Sequence, residues 1–363
     1  MKKKWIGLIV LLGFMTHAQV NVGVIDGNNN LRPLNPELTK EIKEATLIFV
    51  KPKYFKTESV TEILESSWTI SPYKIVDYND FDPLEYQGPN FTVCRIYPHV
   101  MPRSNNMGLR YYLVNNQLEF YTLDPDLLTK NIAEIEEDTN SERYNSQIRN
   151  ALIRSRNAWA SISLFDNAAS VGDINQSETE QVKQRLRREG LISEAEDQLE
   201  IEDIYRTVNE KNYFLNLNQG WLKNYIQAVN DAVENDMVLS RYQNRYGEAV
   251  INLKNQRLLI PEYVGLKMSV LDDDVELDQE LLAKVLKKYK YDREIVSASE
   301  IGQRILNGDD FYYLRYAPVF DWQFIEVVHS TTGKIIFSNH ESKSVFTPNF
   351  RKKHFKVLSK AID

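Results

Sequence analysis

The side chains that could carry chemistry in this chain of 363 residues are few and scattered. Beyond the first eighteen residues the histidines are His99, His329, His340 and His354. No two have the i, i+4 spacing that sets paired imidazoles on one helix face for zinc. His329 adjoins Ser330, with Asp321 nearby, but the members of a Ser-His-Asp triad converge from separate elements, so neighbours on one strand read as a hydrogen-bonded or solvated histidine. Cys94 is the sole cysteine, which excludes an intramolecular disulfide; on a strand expected to be buried it reads as a small core residue rather than a nucleophile. There is no G-x-S-x-G nucleophile elbow, no G-x-x-x-x-G-K-[ST] phosphate loop, no H-E-x-x-H and no C-x-x-C. Carboxylates remain. Asp77 with Asp80, or Glu300 with Asp309, could act as acid and base of a hydrolase if the fold set such a pair about 5–10 Å apart. Asp272, Asp273, Asp274, Glu276, Asp278 and Glu280 crowd one stretch, and alternating carboxylates can bind Ca²⁺. That stretch lacks the glycine and terminal glutamate of an EF-hand loop, and acids at a helix start complement its macrodipole, which is the preferred reading. No catalytic set is identified, and no cofactor or metal site is expected.

The elements that would position these residues begin after an export signal. Lys2, Lys3 and Lys4 form a basic start, Trp5 to Met15 a short apolar run, and Thr16, His17 and Ala18 a near A-x-A cleavage site before Gln19. The run is shorter than the roughly 20 residues that span a bilayer, so it is read as a cleaved signal peptide, an uncleaved anchor being the alternative. No cysteine follows it for lipid attachment, and no later segment is long and apolar enough to cross a membrane. Loss of three lysines moves the formal net charge from −7 to −10, and an acidic surface repels phosphate backbones, so nucleic-acid binding is disfavoured. With 42% hydrophobic residues the chain can bury sizeable cores in two or three domains.

A shift of 220 residues lays the chain on itself: Ile75 and Val76 fall on Ile295 and Val296, Gly88 on Gly308, Phe91 on Phe311, Arg95 on Arg315 and Pro98 on Pro318. Six identities in 24 positions exceed the one or two expected by chance from average residue usage. Pattern on both sides agrees. Ala45 to Val50 and Arg257 to Ile260 read as strands, ended by Pro52 and Pro261. Helical faces follow, Val60, Ile63, Leu64 and Trp68 in one copy, and Leu281, Leu282, Val285, Leu286 and Tyr289 in the other. Second strands at Tyr73 to Asp77 and Arg293 to Ser297 precede short helical segments. Hairpins are expected at Leu109 to Thr122, turning at Asn115-Asn116, and at Phe324 to Ser338, turning near Thr332-Gly333. The core is expected to contain Leu47, Phe49, Leu64, Trp68, Val76, Phe91, Leu258, Leu282, Leu286, Val296, Phe311 and Val327.

The fold class is therefore α/β or α+β, with two copies of a small domain and a helical segment between them. The order, carried by ATLIFV and RLLIP and by the Ile-Val second strands, resembles the small periplasmic α/β domain of the Tol-system propeller protein and, in variant form, of the curli-secretion lipoprotein family. That resemblance implies protein contacts in the envelope rather than catalysis. The organisation reads as a signal peptide at 1–18, a first α/β domain at 19–125, a helical insert at 126–253 and a second α/β domain with a C-terminal helix at 254–363. In the insert, Ile148, Leu152, Ser155, Trp159 and Ile162 fit one helical face, and Trp221, Tyr225, Val229, Val233 and Val238 another; Glu178 to Asn209 is charged and helix-prone around Gly190. The insert reads as packing between the domains, or alternatively as an arm gripping another protein. Asp26 to Asn30 reads as a turn or lead-in. The basic residues Arg351, Lys352, Lys353, His354 and Lys356 sit on a helix expected to open at Pro348 and to dock through Phe350, Val357, Leu358, Ala361 and Ile362. Its basic face reads as solvated, with an anionic headgroup or acidic partner as the alternative. The leading expectation is an exported, non-enzymatic protein that binds or scaffolds another envelope protein; the alternative is a hydrolase of an envelope or extracellular polymer using carboxylates between the domains.

Overall fold

The computed structural model describes residues 19–25, 31–104, 110–135, 141–165, 204–240, 245–269, 272–319, 322–342 and 349–363. The strands are β1 (Val20–Val22), β2 (Val24–Ile25), β3 (Leu31–Arg32), β4 (Thr46–Lys51), β5 (Tyr73–Asp77), β6 (Phe91–Ser104), β7 (Arg110–Leu123), β8 (Arg156–Ser163), β9 (Arg245–Tyr246), β10 (Leu258–Pro261), β11 (Leu266–Ser269), β12 (Asp272–Leu277), β13 (Arg293–Val296), β14 (Tyr312–Val319), β15 (Trp322–His329) and β16 (Ile335–Ser342). The α-helices used below are α1 (Pro36–Glu44), α2 (Thr57–Ser67), α3 (Pro125–Ala133), α4 (Ser141–Arg154), α5 (Gln219–Glu234), α6 (Gln279–Leu286), α7 (Ala298–Leu306) and α8 (Lys352–Ile362).

Two mixed six-stranded sheets carry the same order, β1-β8-β7-β6-β4-β5 and β9-β16-β15-β14-β10-β13. In each, the last three strands run parallel and the rest antiparallel. The parallel crossovers are made by α2 in one copy and α6 in the other, as strand–helix–strand units require. Gly88 and Gly308, matched in sequence, adopt φ of +85° and +81° ahead of the third strand of their copies. That left-handed turn favours glycine, which explains why this identity survives in both.

The duplication is larger than the sequence pattern indicates. Residues 126–253 are not a wholly helical insert, because β8 lies inside the first sheet and β9 at the edge of the second. Ser155, Trp159 and Ile162 fit a helical spacing, yet Trp159 and Ile162 belong to β8; five successive buried residues there remove the alternation that marks a half-buried strand. Val238 likewise follows the end of α5 rather than belonging to it. The first hairpin also differs. β7 runs without interruption through Asn115 and Asn116, paired with His99 and Pro98, and the reversal falls between Ser104 and Arg110. The second hairpin turns as expected, with Gly333 donating to the His329 carbonyl. Of the expected core, ten positions are buried, while Phe91 and Phe311 are partly buried and packed against it.

Helix α5 joins the two copies. Asn218 caps it by accepting from the Trp221 N–H at 3.0 Å. Trp221, Tyr225, Val229 and Val233 are buried along one stripe. Trp221 meets Tyr313 of the second sheet at 5.5 Å between ring centroids, and Asn224 Oδ1 accepts from Tyr313 Oη. On the first copy, Asn230 Oδ1 accepts from the Thr69 N–H at 2.8 Å. The approach of α5 to α7 is very close: a Cβ on Gly220 would lie 2.2 Å from the Gly302 carbonyl oxygen. Gly220→Ala must push one backbone off another and is expected to cost about 1–3 kcal/mol by overpacking, read as a lower urea midpoint at unchanged slope.

Candidate functional site

The two copies differ on one face of their sheets. Side chains alternate along a strand, so Val93, Arg95 and Tyr97 of β6 share a face with Glu119, Tyr121 and Leu123 of β7. The other face carries Cys94, Ile96, Leu118 and Phe120 against α2 and the main core. In the second copy the face bearing Tyr313 and Arg315 is sealed by α5. In the first, the matching face holds a small separate apolar cluster and a cavity of about 470 Å³, a volume suited to a small ligand or side-chain cluster.

The cavity exists because the first copy replaces the tight β15–β16 turn with the helical hairpin α3–α4 between β7 and β8. Ile148, Leu152 and Ile153 of α4 form one wall, and Tyr78, Pro83 and Leu84 from the 3₁₀ segments form another. Tyr205, on helical residues 204–210, closes a side and donates to Tyr97 Oη at 2.8 Å. Two guanidinium groups reach in from the sheet. Arg156 lies 3.8 Å from the Tyr97 ring centroid, and Arg95 lies 5.2 Å from Phe81 and 5.8 Å from Tyr97, within cation–π range.

Register places Arg95 directly opposite Glu119, as it places Arg315 opposite Glu326. The outcomes differ. Arg315 pairs with Glu326 at 2.5 Å, both fully buried. Glu119 instead meets His99 Nε2 at 2.6 Å and Arg156 Nη1 at 2.9 Å, the latter at ion-pair distance but off hydrogen-bond geometry. Arg95 is left to the aromatic faces of Tyr78, Phe81 and Tyr97, and its buried Nε has no hydrogen-bond partner. Among the described residues no carboxylate is paired with it. Arg156 faces Glu119 at ion-pair distance and Asp82 lies on another wall, so the formal charges balance, while the Arg95 guanidinium has no paired carboxylate; tyrosine side chains and apolar walls complete the cavity. Such a site suits an anionic group attached to an apolar body.

Burial alone would raise the Glu119 pKa, but the His99 hydrogen bond and the Arg156 and Arg95 charges outweigh it and hold the carboxyl below its ordinary value. A depressed carboxylate contributes stability that is complete above its unfolded value and is lost as pH falls through the folded one. Acid titration of urea midpoints is therefore expected to fall less steeply in Glu119→Gln than in the wild type.

The other candidate residues do not converge. Asp77 pairs with Lys51, and Glu300 with Arg304. Asp80 and Asp309 are exposed, and none of the four lines the cavity. Asp82 lines it, but its Oδ1 caps the following turn by accepting from the Leu84 N–H. His329 hydrogen-bonds Asp310 and Thr332, while Ser330 Oγ donates to the Asp309 carbonyl; Asp321 lies outside the described residues. Cys94 is fully buried and burial pushes its thiol well up. His340 packs against the Trp322 ring at a tilt, with centroids 5.5 Å apart. His354 is buried beside Glu341 rather than on a basic face; burial lowers its pKa although Glu341 pulls it up. The C-terminal helix opens at Lys352 after Arg351, Pro348 being outside the described residues. Leu358 and Ile362 dock it, while Lys352, Lys353 and Lys356 face outward, Lys353 paired with Glu341. Asp272 to Glu276 lie on β12 rather than at a helix start, whereas Asp278 caps α6 by accepting from the Leu281 N–H. No metal-binding group is found among the described residues. Asp26 to Asn30 and most of Glu178 to Asn209 lie outside them.

Arg156 and Tyr205 carry no motif in the sequence. Arg95 does carry a signal, its identity with Arg315, but only the pairing reveals that one copy lacks the partner the other has. No family model matches the chain, and no curated protein or solved structure matches it significantly.

Proposed function

We propose that this chain is an exported, non-enzymatic cell-envelope protein whose first copy binds an acidic group of another envelope protein, the second copy and α5 serving as its rigid support. The observation that carries this reading is Arg95, a cation in an open, apolar-walled cavity without the carboxylate that its twin Arg315 holds. A half-buried guanidinium with no carboxylate paired to it has a buried N–H left unmet, and an acidic partner group entering the cavity would supply a paired carboxylate. Helix α4 supplies an apolar wall through Ile148, Leu152 and Ile153, which fits a protein segment better than a free inorganic anion. The likeness of the α/β order to small periplasmic contact domains, and the export signal, support the same reading.

Hydrolysis is less well supported. Acid–base cleavage of a glycosidic polymer needs two carboxyl groups facing one bond, and the cavity is lined by one carboxylate, Asp82, among the described residues. The test is cross-linked affinity capture of a tagged chain from native cells, with fractionation of the same sample. A reproducible envelope partner is expected; a soluble protein that captures nothing would return weight to a hydrolase.

A further inference from the structure

Glu326 is fully buried and accepts two donors, Arg315 Nη2 at 2.5 Å and the backbone nitrogen of Gln19 at 2.6 Å. The Gln19 side chain is fixed as well: Nε2 donates to the Ser163 carbonyl at 2.8 Å and to Tyr225 Oη at 2.9 Å. Gln19 is 1% exposed, and it leads directly into β1, which pairs with β8 and bridges through Val22 to Leu239. One residue thus touches the first sheet, α5 and the second sheet. The nitrogen held by Glu326 belongs to the bond at which the leader is expected to be cut.

We propose that Glu326 forms a seat for the α-amino group of the mature chain, with Ser163 and Tyr225 holding the Gln19 side chain, so that leader removal completes the packing of the two copies. The inference rests on the export reading. Hydrolysis of the Ala18–Gln19 peptide bond by a signal-peptide-cleaving protease consumes one water, leaving a carboxylate on Ala18 and an amine on Gln19. That amine keeps an N–H on Glu326 and, once protonated, adds a charge-assisted bond in a site shielded from salt. The Arg315 guanidinium on the other oxygen is offset by the Tyr225 ring, 4.7 Å from its centroid. Seating also separates reactive groups. An N-terminal glutamine cyclises when its amine attacks its own side-chain Cδ and expels ammonia. Here Glu326 holds the amine and Ser163 and Tyr225 hold the amide, which opposes that attack.

The test exports the full-length precursor in a bacterial host, measures the intact mass of the product, and maps acylation of its N-terminal amine in native and urea-unfolded states. The expected product begins at Gln19, is uncyclised, and is acylated at least about ten-fold more slowly when folded, as for a group reached only through local opening. In Glu326→Ala the protection is lost and the ammonia-loss product accumulates; should that variant not fold, the native-against-urea comparison of the wild type decides alone. A product with an intact leader refutes the export reading beneath the proposal, and a cleaved product with another first residue overturns the seat and leaves export standing. A product that begins at Gln19 but is cyclised, or is acylated equally fast when folded, overturns the seat and leaves export standing.

Discussion

Glu326→Ala is expected to lower the unfolding free energy by about 3–5 kcal/mol, the cost of leaving one member of a buried ion pair alone. Arg315 has no water to turn to: it is fully buried, and its Nε and Nη1 already lack hydrogen-bond partners. Removing the carboxylate strips the counter-charge paired with Arg315 and also the acceptor of the Gln19 N–H. The pair itself need not be a net gain, since desolvating two ions offsets much of their attraction. Arg315→Met combined with Glu326→Leu is accordingly expected to be near neutral or stabilising. Urea unfolding of the single and double variants checks both statements, and equal destabilisation by the two would show that shape rather than charge dominates there.

Trp68→Ala is expected to cost about 3–5 kcal/mol through the lost burial and the cavity left behind. Trp68 ends α2, is 3% exposed, and stacks on Phe120 of β7 at 5.9 Å. Its Nε1 donates to Ser71 Oγ, and the next residue, Thr69, is bound by Asn230 of α5. The substitution therefore loosens α2 from the first sheet and weakens one of the ties between copies. A near-neutral thermal midpoint would contradict the placement of α2.

The parts of this fold that were legible in sequence are those in which local pattern and tertiary role agree. ATLIFV and RLLIP are short apolar runs ended by proline, and they form the central parallel strands. Val60, Ile63 and Leu64 keep helical spacing and face the sheet. Illegible parts are those where tertiary burial overrides pattern. β8 is buried on both sides, so its residues fit a helix as readily as a strand. Asn115-Asn116 has turn composition, yet a longer hairpin carries β7 past it, with pairing that continues out to Ser104 and Arg110. That longer hairpin also conceals the site: β6 and β7 have 14 residues each and β14 and β15 have eight. Glu119 and Glu326 therefore fall out of the alignment that matches Arg95 to Arg315. The relation between the two arginines, and the release of one from its glutamate, is a property of register and of Arg156 arriving on β8.

The most direct test of the account compares cross-linked capture by the wild type with capture by Arg95→Gln and, as an exposed control outside the cavity, Lys356→Gln. The account predicts one envelope partner retained at moderate salt by the wild type and the control. Its recovery should fall about ten-fold or more with Arg95→Gln, as expected when a charge-assisted contact worth about 1.5–3 kcal/mol is removed. Equal recovery by all three would show that the cavity around Arg95 is not where the partner binds, and would contradict the account.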